Sequence, residues 1–284
     1  MELGINTFGM GGLLKAPFRR TMERLKENGI TGMEPCIHFL SRASGRDFLI
    51  GLGMKRTDRL GGVWTPDEAK EKLGLLREDG FRVDGAHLFI GTLTDKTADQ
   101  ALSFARENGL RYYALSCMTD RFDLAAKQIP VLRRTVKAFR AQDLHLLLHN
   151  HDMDLKETEG LSVLDFLLDN VPGLELELDV GWMAYAGRDC SAELEKYRRH
   201  LRVLHFKDML PDKALKKHRF CAVGEGMLPL AAIMEKVPGL ELFPAGMVID
   251  QDASDGDMMA DILTGAANIR KNARPESERK EEQP

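Results

Sequence analysis

A parallel (β/α)8 TIM barrel is the fold class this sequence predicts, and three observations predict it. Short apolar runs alternate with helical patterns along nearly all of the 284 residues, the rhythm of a parallel sheet with helical crossovers. Nearly every apolar run ends in a polar or ionisable residue, as expected where strands deliver side chains to one rim. The length suits a barrel of roughly 250 residues with trimmings, and no GxGxxG turn follows the first strand to favour a doubly wound open sheet.

Leu3–Phe8 is the first strand, ending in Asn6 and Thr7. Phe18–Asn28 carries Met22 and Leu25 on one helical side, and Gly29 closes it as a C-cap would. Ile30–Glu34 is the second strand and ends in the acid Glu34. The segment 35–64 is rich in Gly and Arg and too long for an ordinary strand-to-helix connection, so it reads as a lid-like excursion facing substrate. Thr65-Pro66-Asp67-Glu68 has the form of an N-cap with proline at the first helical position, opening a helix to about Asp79.

Phe81–Leu88 is the third strand, bearing His87, and a helix over Thr97–Asn108 is closed by Gly109. Leu110–Ser116 is the fourth strand and Arg121–Ala141 a longer helix. In Leu144–Asp154, LHLLLHNHDMD, an apolar run stops abruptly at His149, Asn150, His151 and Asp152. So short and so apolar a run suits a strand covered on both faces. A helix over Leu161–Asp169, a sixth strand Leu174–Val180 with Asp179 at its end, and a helix over Ala192–His200 come next. Leu201–Lys207 is the seventh strand, followed by Asp208 and a loop through Gly224-Glu225-Gly226, where Glu225 shapes the entry to a helix near Leu228–Lys236. Ala245–Asp250 is the eighth strand, Met258–Arg270 the last helix. One domain over 1–270 and a fraying charged tail at 271–284 are therefore expected.

Composition narrows the function class. The chain is 43% hydrophobic and 30% charged with a net charge of −4, which gives no general pull toward nucleic acid or an anionic membrane. Cys36, Cys117, Cys190 and Cys221 stand far apart without a CxxC pair, so neither a zinc ribbon nor a disulfide framework is indicated. No secretory signal and no apolar run of about 18 residues is seen, and the protein is expected to be cytoplasmic.

The strand ends hold the chemistry. His149 and His151 share one face of their strand by its two-residue repeat, a start to a metal site that alone is as readily structural. The layout recurs, however. His149, His151, Asp179, His205 and Asp250 all come from the ends of strands five to eight and would converge at one rim. Imidazoles mixed with carboxylates suit manganese, cobalt or zinc better than a purely oxygen-seeking cation. Such an ion polarises a carbonyl and its neighbouring hydroxyl and stabilises the enediolate left when a proton departs.

LLLHNHD (Leu146–Asp152), LELDVGWMAYAG (Leu176–Gly187), LHFKDM (Leu204–Met209), VGEGML (Val223–Leu228) and VIDQD (Val248–Asp252) together resemble the sugar phosphate isomerase/epimerase family, xylose isomerase-like barrels that include inosose dehydratases and keto-sugar epimerases. GINTFG and GMEPC match more weakly. The resemblance implies one divalent metal at the barrel mouth, with Asp179 and His205 among its ligands and Asp250 where the family usually has Glu. Two positions depart from the family pattern. His149 stands where the family has a strand-five Glu, and Trp182 where a DxxH motif has its His. A metal set of His149, Asp179, His205 and Asp250 follows, with manganese the first choice and cobalt, zinc or magnesium the others.

The expected function is metal-dependent isomerisation or epimerisation of a keto-sugar. Asp250, His151, Lys207 and Glu34 are the candidate proton-transfer groups, and His87, Trp182 and Asn150 the candidate substrate contacts. The missing strand-five Glu makes elimination, as in a dehydratase or a 3-keto-glycoside lyase, the close alternative, since it does not need matched bases on opposite faces. A non-catalytic sugar-binding barrel is the alternative of another class, and an abasic-site nuclease is disfavoured by the acidic charge. Arg42, Arg46, Lys55, Arg56 and Arg59 would suit a substrate phosphate or simply a solvated face. The expected partner is a small carbohydrate, with no nucleic acid and no membrane, and a homo-oligomer is left open.

Overall fold

The computed structural model describes residues 2–39, 60–89, 93–212 and 217–273. Its strands are β1 (Leu3–Asn6), β2 (Ile30–Glu34), β3 (Cys36–Ile37), β4 (Val63–Trp64), β5 (Gly85–Leu88), β6 (Tyr112–Ser116), β7 (His145–His149), β8 (Glu175–Asp179), β9 (Leu201–Phe206), β10 (Asp208–Asp212), β11 (Lys217–Cys221) and β12 (Met247–Ile249). Ten of them form one parallel sheet in the order β2-β1-β12-β9-β8-β7-β6-β5-β3-β4. It curls until β2 meets the approach to β5, where the Met33 N–H donates to the Arg82 carbonyl at 2.9 Å and the Arg82 N–H to the Thr31 carbonyl at 2.8 Å. The expected barrel is the fold.

Strand alternation sorts the side chains into two cores. Leu146 and Leu148 of β7 and Leu176 and Leu178 of β8 face out into the main core beneath the helices. Leu147, with Tyr112, Ala114, Val203 and Val248, fills the barrel interior instead. Burying one such leucine contributes about 1.5–3 kcal/mol, and both faces of the strands are used. The helices begin and end where their caps dictate. The Thr65 hydroxyl accepts the Glu68 N–H at 3.3 Å while the Glu68 carboxylate accepts the Thr65 N–H at 2.8 Å, a reciprocal box opening Pro66–Glu78. Ser162 and Asp165 repeat that box at Val163–Asn170.

Several boundaries and two elements differ from expectation. The third strand begins only at Gly85, because Arg82 is spent on the bridge to β2. A short helix, Val180–Tyr185, springs directly from Asp179, whose side chain caps the Trp182 N–H at 2.8 Å. Gly181 permits that turn: a β-carbon there would lie 2.2 Å from the Lys207 carbonyl oxygen. What read as a loop after Asp208 is the antiparallel hairpin β10–β11, paired from Asp208↔Cys221 outward. Within 35–64, β3 and β4 extend the sheet and a 3-10 turn spans Leu60–Gly62. Residues 40–59, with Arg42, Arg46, Lys55, Arg56 and Arg59, lie outside the described residues, as does 274–284 of the tail. The last helix runs on to Ala273. Among the described residues no helix is long and apolar enough to cross a membrane.

Candidate metal and active site

The carboxyl ends of β7, β8, β9 and β12 bring His149, Asp179, His205 and Asp250 together. One ligand atom from each lies within 4.8 Å of the others, and all four residues are buried. These are the four residues singled out as ligands in the sequence. Oδ1 of Asp250 is buried without a hydrogen-bond donor, and Oδ2 of Asp179 has only the looser contacts of Lys207 Nζ at 3.5 Å and His149 Nε2 at 3.9 Å. A buried carboxylate oxygen short of partners is costly, and a cation would satisfy both. Two imidazoles with two carboxylates therefore fit a divalent transition metal.

A layer of carboxylates beneath orients the imidazoles. Nδ1 of His149 lies 2.9 Å from Glu177 Oε1, which leaves Nε2 on the side of Asp179 Oδ2, 3.9 Å away. Nε2 of His205 lies 2.7 Å from Glu34 Oε2 and 3.2 Å from Glu177 Oε1, which leaves Nδ1 facing Asp250 Oδ2 at 3.3 Å. Each ring thus has a carboxylate on its far nitrogen, the arrangement that fixes a ligand tautomer and orientation. Glu177 was not recognised in the sequence. It is fully buried on β8, two residues before Asp179 on the same face.

Charge in this layer follows from burial and proximity. Burial alone would raise Glu34, but the His205 cation outweighs it and holds the carboxyl down to about 2. Burial and the adjacent Glu34 push Glu177 well above the usual carboxylate range. Burial disfavours charge on His205, yet Glu177 and Glu34 prevail and keep its pKa well above the ordinary value. His149, buried and next to His205, is held well below it and stays neutral. Neutral imidazole is the ligating form, so His205 would have to shed a proton to hold a metal.

The remaining predicted residues fall at different depths. Lys207 Nζ lies 2.8 Å from Asp250 Oδ2, 3.2 Å from Asp252 Oδ2 and 3.5 Å from Asp179 Oδ2. Burial opposes its charge, but the three acids, Asp250 foremost, keep it protonated. Above it are the rings of Trp182 and Phe220, with centroids 5.2 and 5.7 Å from Nζ. The His151 ring lies 5.3 Å from that of Trp182, and its Nδ1 is buried with no partner. His87 sits lower, with Nδ1 3.2 Å from Glu177 and Nε2 3.3 Å from the Ser116 hydroxyl.

Two placements change what the residues can do. The Asn150 side chain accepts the Asp179 N–H at 2.9 Å and donates to the Asp179 carbonyl at 3.2 Å, fully buried. Its amide ties β7 to β8 and is not presented to a substrate. Glu34 accepts from Asn6 at 2.7 Å and Tyr112 at 2.8 Å while holding His205. It therefore bears on the mouth through His205. His218, on β11, stands 4.9 Å from the Trp182 ring. In the VGEG segment the organising acid is Asp208, which accepts the N–H groups of Gly224, Gly226 and Leu228 at 2.9, 2.9 and 3.0 Å. Glu225 only receives Asn268 at 3.3 Å.

Comparison with known proteins adds the lineage. A family model described as xylose isomerase-like TIM barrel matches residues 22–241. A sugar phosphate isomerase/epimerase from Parabacteroides distasonis ATCC 8503 superposes with a TM-score of 0.73 at 18% identity, covering 96% of this chain and 94% of that one. The probable 3-DHS dehydratase AsbF from Bacillus anthracis gives 0.65 at 15%, covering 96% and 100%. The IOLI protein with a binding zinc atom gives 0.64 at 12%, covering 96% and 98%. At these identities the likeness is one of fold. No curated protein matches the sequence.

Proposed function

Since the chain belongs to the xylose isomerase-like TIM barrel family, we propose that it is a divalent-metal-dependent isomerase or epimerase acting on a keto-sugar or sugar derivative. The convergence of His149, Asp179, His205 and Asp250 on one buried point carries the reading. These four residues would hold one ion, manganese first, with cobalt, zinc or magnesium as the others. When bound, the ion would supply Lewis acidity, polarising the substrate carbonyl and its adjacent hydroxyl so that the neighbouring C–H loses its proton more readily.

The chain's own groups do the rest. His151, held down to about 3 chiefly by burial, is neutral, and its unpartnered Nδ1 is available to take a proton. Lys207 is the charged donor that can return one. Asp250, held ionised chiefly by Lys207, stays an anion that orients both the ion and the ammonium. Trp182 would contact the sugar through an indole N–H that is buried without an acceptor, and His87, whose two nitrogens are engaged by Glu177 and Ser116, through its ring edge. Of the related proteins named above, the sugar phosphate isomerase/epimerase supports a small carbohydrate as the substrate, and the zinc-holding barrel supports a bound metal.

One observation favours elimination as the second reading. Asp179 and Asp250 both lie within 3.5 Å of Lys207 Nζ, while His149 stands between Asp179 and Glu177 and His205 between Asp250 and Glu177, so the two acids at the mouth share one cation and the acid beneath is covered by imidazoles. A single base with a nearby acid suffices to expel a leaving group, as a dehydratase or lyase does.

The test is elemental analysis of protein from metal-replete growth, with His149→Ala and Asp179→Ala beside the wild type. About one Mn, Co or Zn per chain, lost in both variants, is expected, and solvent deuterium should then enter a keto-sugar. An empty wild type would discard the metalloenzyme and leave a sugar-binding barrel. Release of water, or of the aglycone alcohol from a 3-keto-glycoside, without exchange would select elimination.

A further inference from the structure

We propose that Lys207 is a built-in counter-cation that occupies the metal-binding carboxylates while the metal is away. Asp252 is then the positioning residue that receives its ammonium when the metal arrives. The proposal rests on the metal-dependent reading above. The ammonium bridges three acids, and only two of them, Asp179 and Asp250, belong to the four-residue cluster. Asp252 stands outside it.

Among the described residues the ammonium has only these three acids as charged partners. Lys207 is 2% exposed, and the Trp182 and Phe220 rings stand 5.2 and 5.7 Å from Nζ. A buried ammonium keeps a charged partner or pays a steep desolvation cost. Here it cannot trade carboxylates for water; it can only redistribute among the three acids. Its contacts with Asp179 and Asp250 are both through Oδ2. An ammonium and a dication on the same two carboxylates repel, so binding the dication requires the ammonium to relax its hold on them. At 3.2 Å Asp252 Oδ2 is already in contact, and a small rotation of the flexible lysine stem is enough. Backbone geometry holds the device in place. Gly181 lets the Val180–Tyr185 helix press on the Lys207 carbonyl, and Asp208, the next residue, is latched to the VGEG segment.

This assigns opposite signs to two neighbouring residues, which a purely structural role would not do. Lys207→Met removes the competitor, and Asp252→Asn removes the place it retreats to. Mn²⁺ alone is titrated calorimetrically into metal-free wild type, Lys207→Met, Lys207→Gln and Asp252→Asn, with thermal melts on each. Both Lys207 variants should bind Mn²⁺ at least tenfold more tightly and gain more in melting temperature on adding it. Asp252→Asn should bind at least tenfold more weakly. A Lys207 variant that folds only with Mn²⁺ supports the proposal, because three acids left without their cation then depend on the metal. A silent wild type beside a Lys207 variant that binds overturns the metal reading for the natural protein, and this proposal with it. Wild-type binding with equal or weaker binding in both Lys207 variants overturns this proposal alone, and an unchanged Asp252→Asn removes Asp252 from it. No Mn²⁺ binding in any folded protein overturns the metal reading itself.

Discussion

Glu177→Gln separates the electrostatic work of the buried carboxylate layer from its packing. A single oxygen, Oε1, serves three rings, lying 2.9 Å from His149 Nδ1, 3.2 Å from His87 Nδ1 and 3.2 Å from His205 Nε2. Burial and Glu34 push Glu177 toward its neutral acid while no metal is present. Glutamine is also neutral and nearly the same shape, so the metal-free variant should keep its stability to within about 1 kcal/mol. Loading the site asks for more. Both ligand rings must then be neutral, with their far N–H directed at a carboxylate, and an amide oxygen accepts those bonds more weakly than a carboxylate does. Loss of such a supporting carboxylate costs about 10–100-fold in metal affinity, about 1.4–2.7 kcal/mol. Urea unfolding without metal and Mn²⁺ titration, run on the same preparations, check both halves. Unchanged affinity would refute the orienting role. A fall in metal-free stability as large as the fall in affinity would reduce Glu177 to a core residue.

Two other perturbations follow from hydrogen bonds outside the metal cluster. The Asp208 carboxylate accepts the N–H groups of Met209, Gly224, Gly226 and Leu228 at 2.8–3.0 Å. Asp208→Ala should therefore cost at least about 3 kcal/mol and open 222–229 to protease; a loss under about 1 kcal/mol in urea would show that the latch is not needed. Asp154 accepts the Thr119 and His151 N–H groups at 2.8 Å each, yet burial outweighs them and lifts its carboxyl from 3.8 to about 6. A folded pKa above the unfolded one means stability that is present below pH ~4 and lost as pH rises through about 6, about 3 kcal/mol in all. Asp154→Asn forfeits one accepted bond at every pH but should not lose stability between pH 4 and 7 as the wild type does. Parallel stability curves across that range would contradict the assignment.

The rhythm of eight strands was legible because each strand is a short apolar run with a polar stop, and burial on both faces needs such a run. The convergence of His149, Asp179, His205 and Asp250 was legible for the same reason, since residues at strand ends reach the rim wherever the barrel closes, while their choice as ligands over His151 came from the family resemblance. The hairpin β10–β11 was hidden. Pro211 and the lysines of Lys213–Lys217 mask the alternation that sets His218 and Phe220 on one face with Arg219 turned to Asp255. The helix Val180–Tyr185 was hidden too, because VGWMAY continues an apolar strand in composition. Only the Asp179 cap and the tight approach at Gly181 turn it.

Glu177 shows where strand-end reasoning stops. The run Glu175-Leu176-Glu177-Leu178-Asp179 places acids at every second position of a strand whose every residue is buried, and that was the available signal. Leucines on the outward face mean that the acids point inward, into a barrel whose interior must then supply partners. It does so at each level. Glu175 at the base is met by His145 at 2.6 Å, with Arg202 and Arg140 each at 2.9 Å; Glu177 is met by three imidazoles, and Asp179 by the mouth. Which imidazole meets which acid depends on stagger, and composition does not encode stagger. In the observed register His149 is level with Glu177, and Asp179 with His205. The histidine at the strand-five position thus brings no negative charge of its own beside an acid that burial and Glu34 already push toward neutrality. A carboxylate at 149 would add a further acid to Glu177 and Glu34 and remove an imidazole that meets Glu177 Oε1 at 2.9 Å. The residue at 149 and the acid at 177 therefore form one unit, and exchanging His149 for Glu should destabilise the metal-free barrel even with Glu177 in its neutral form.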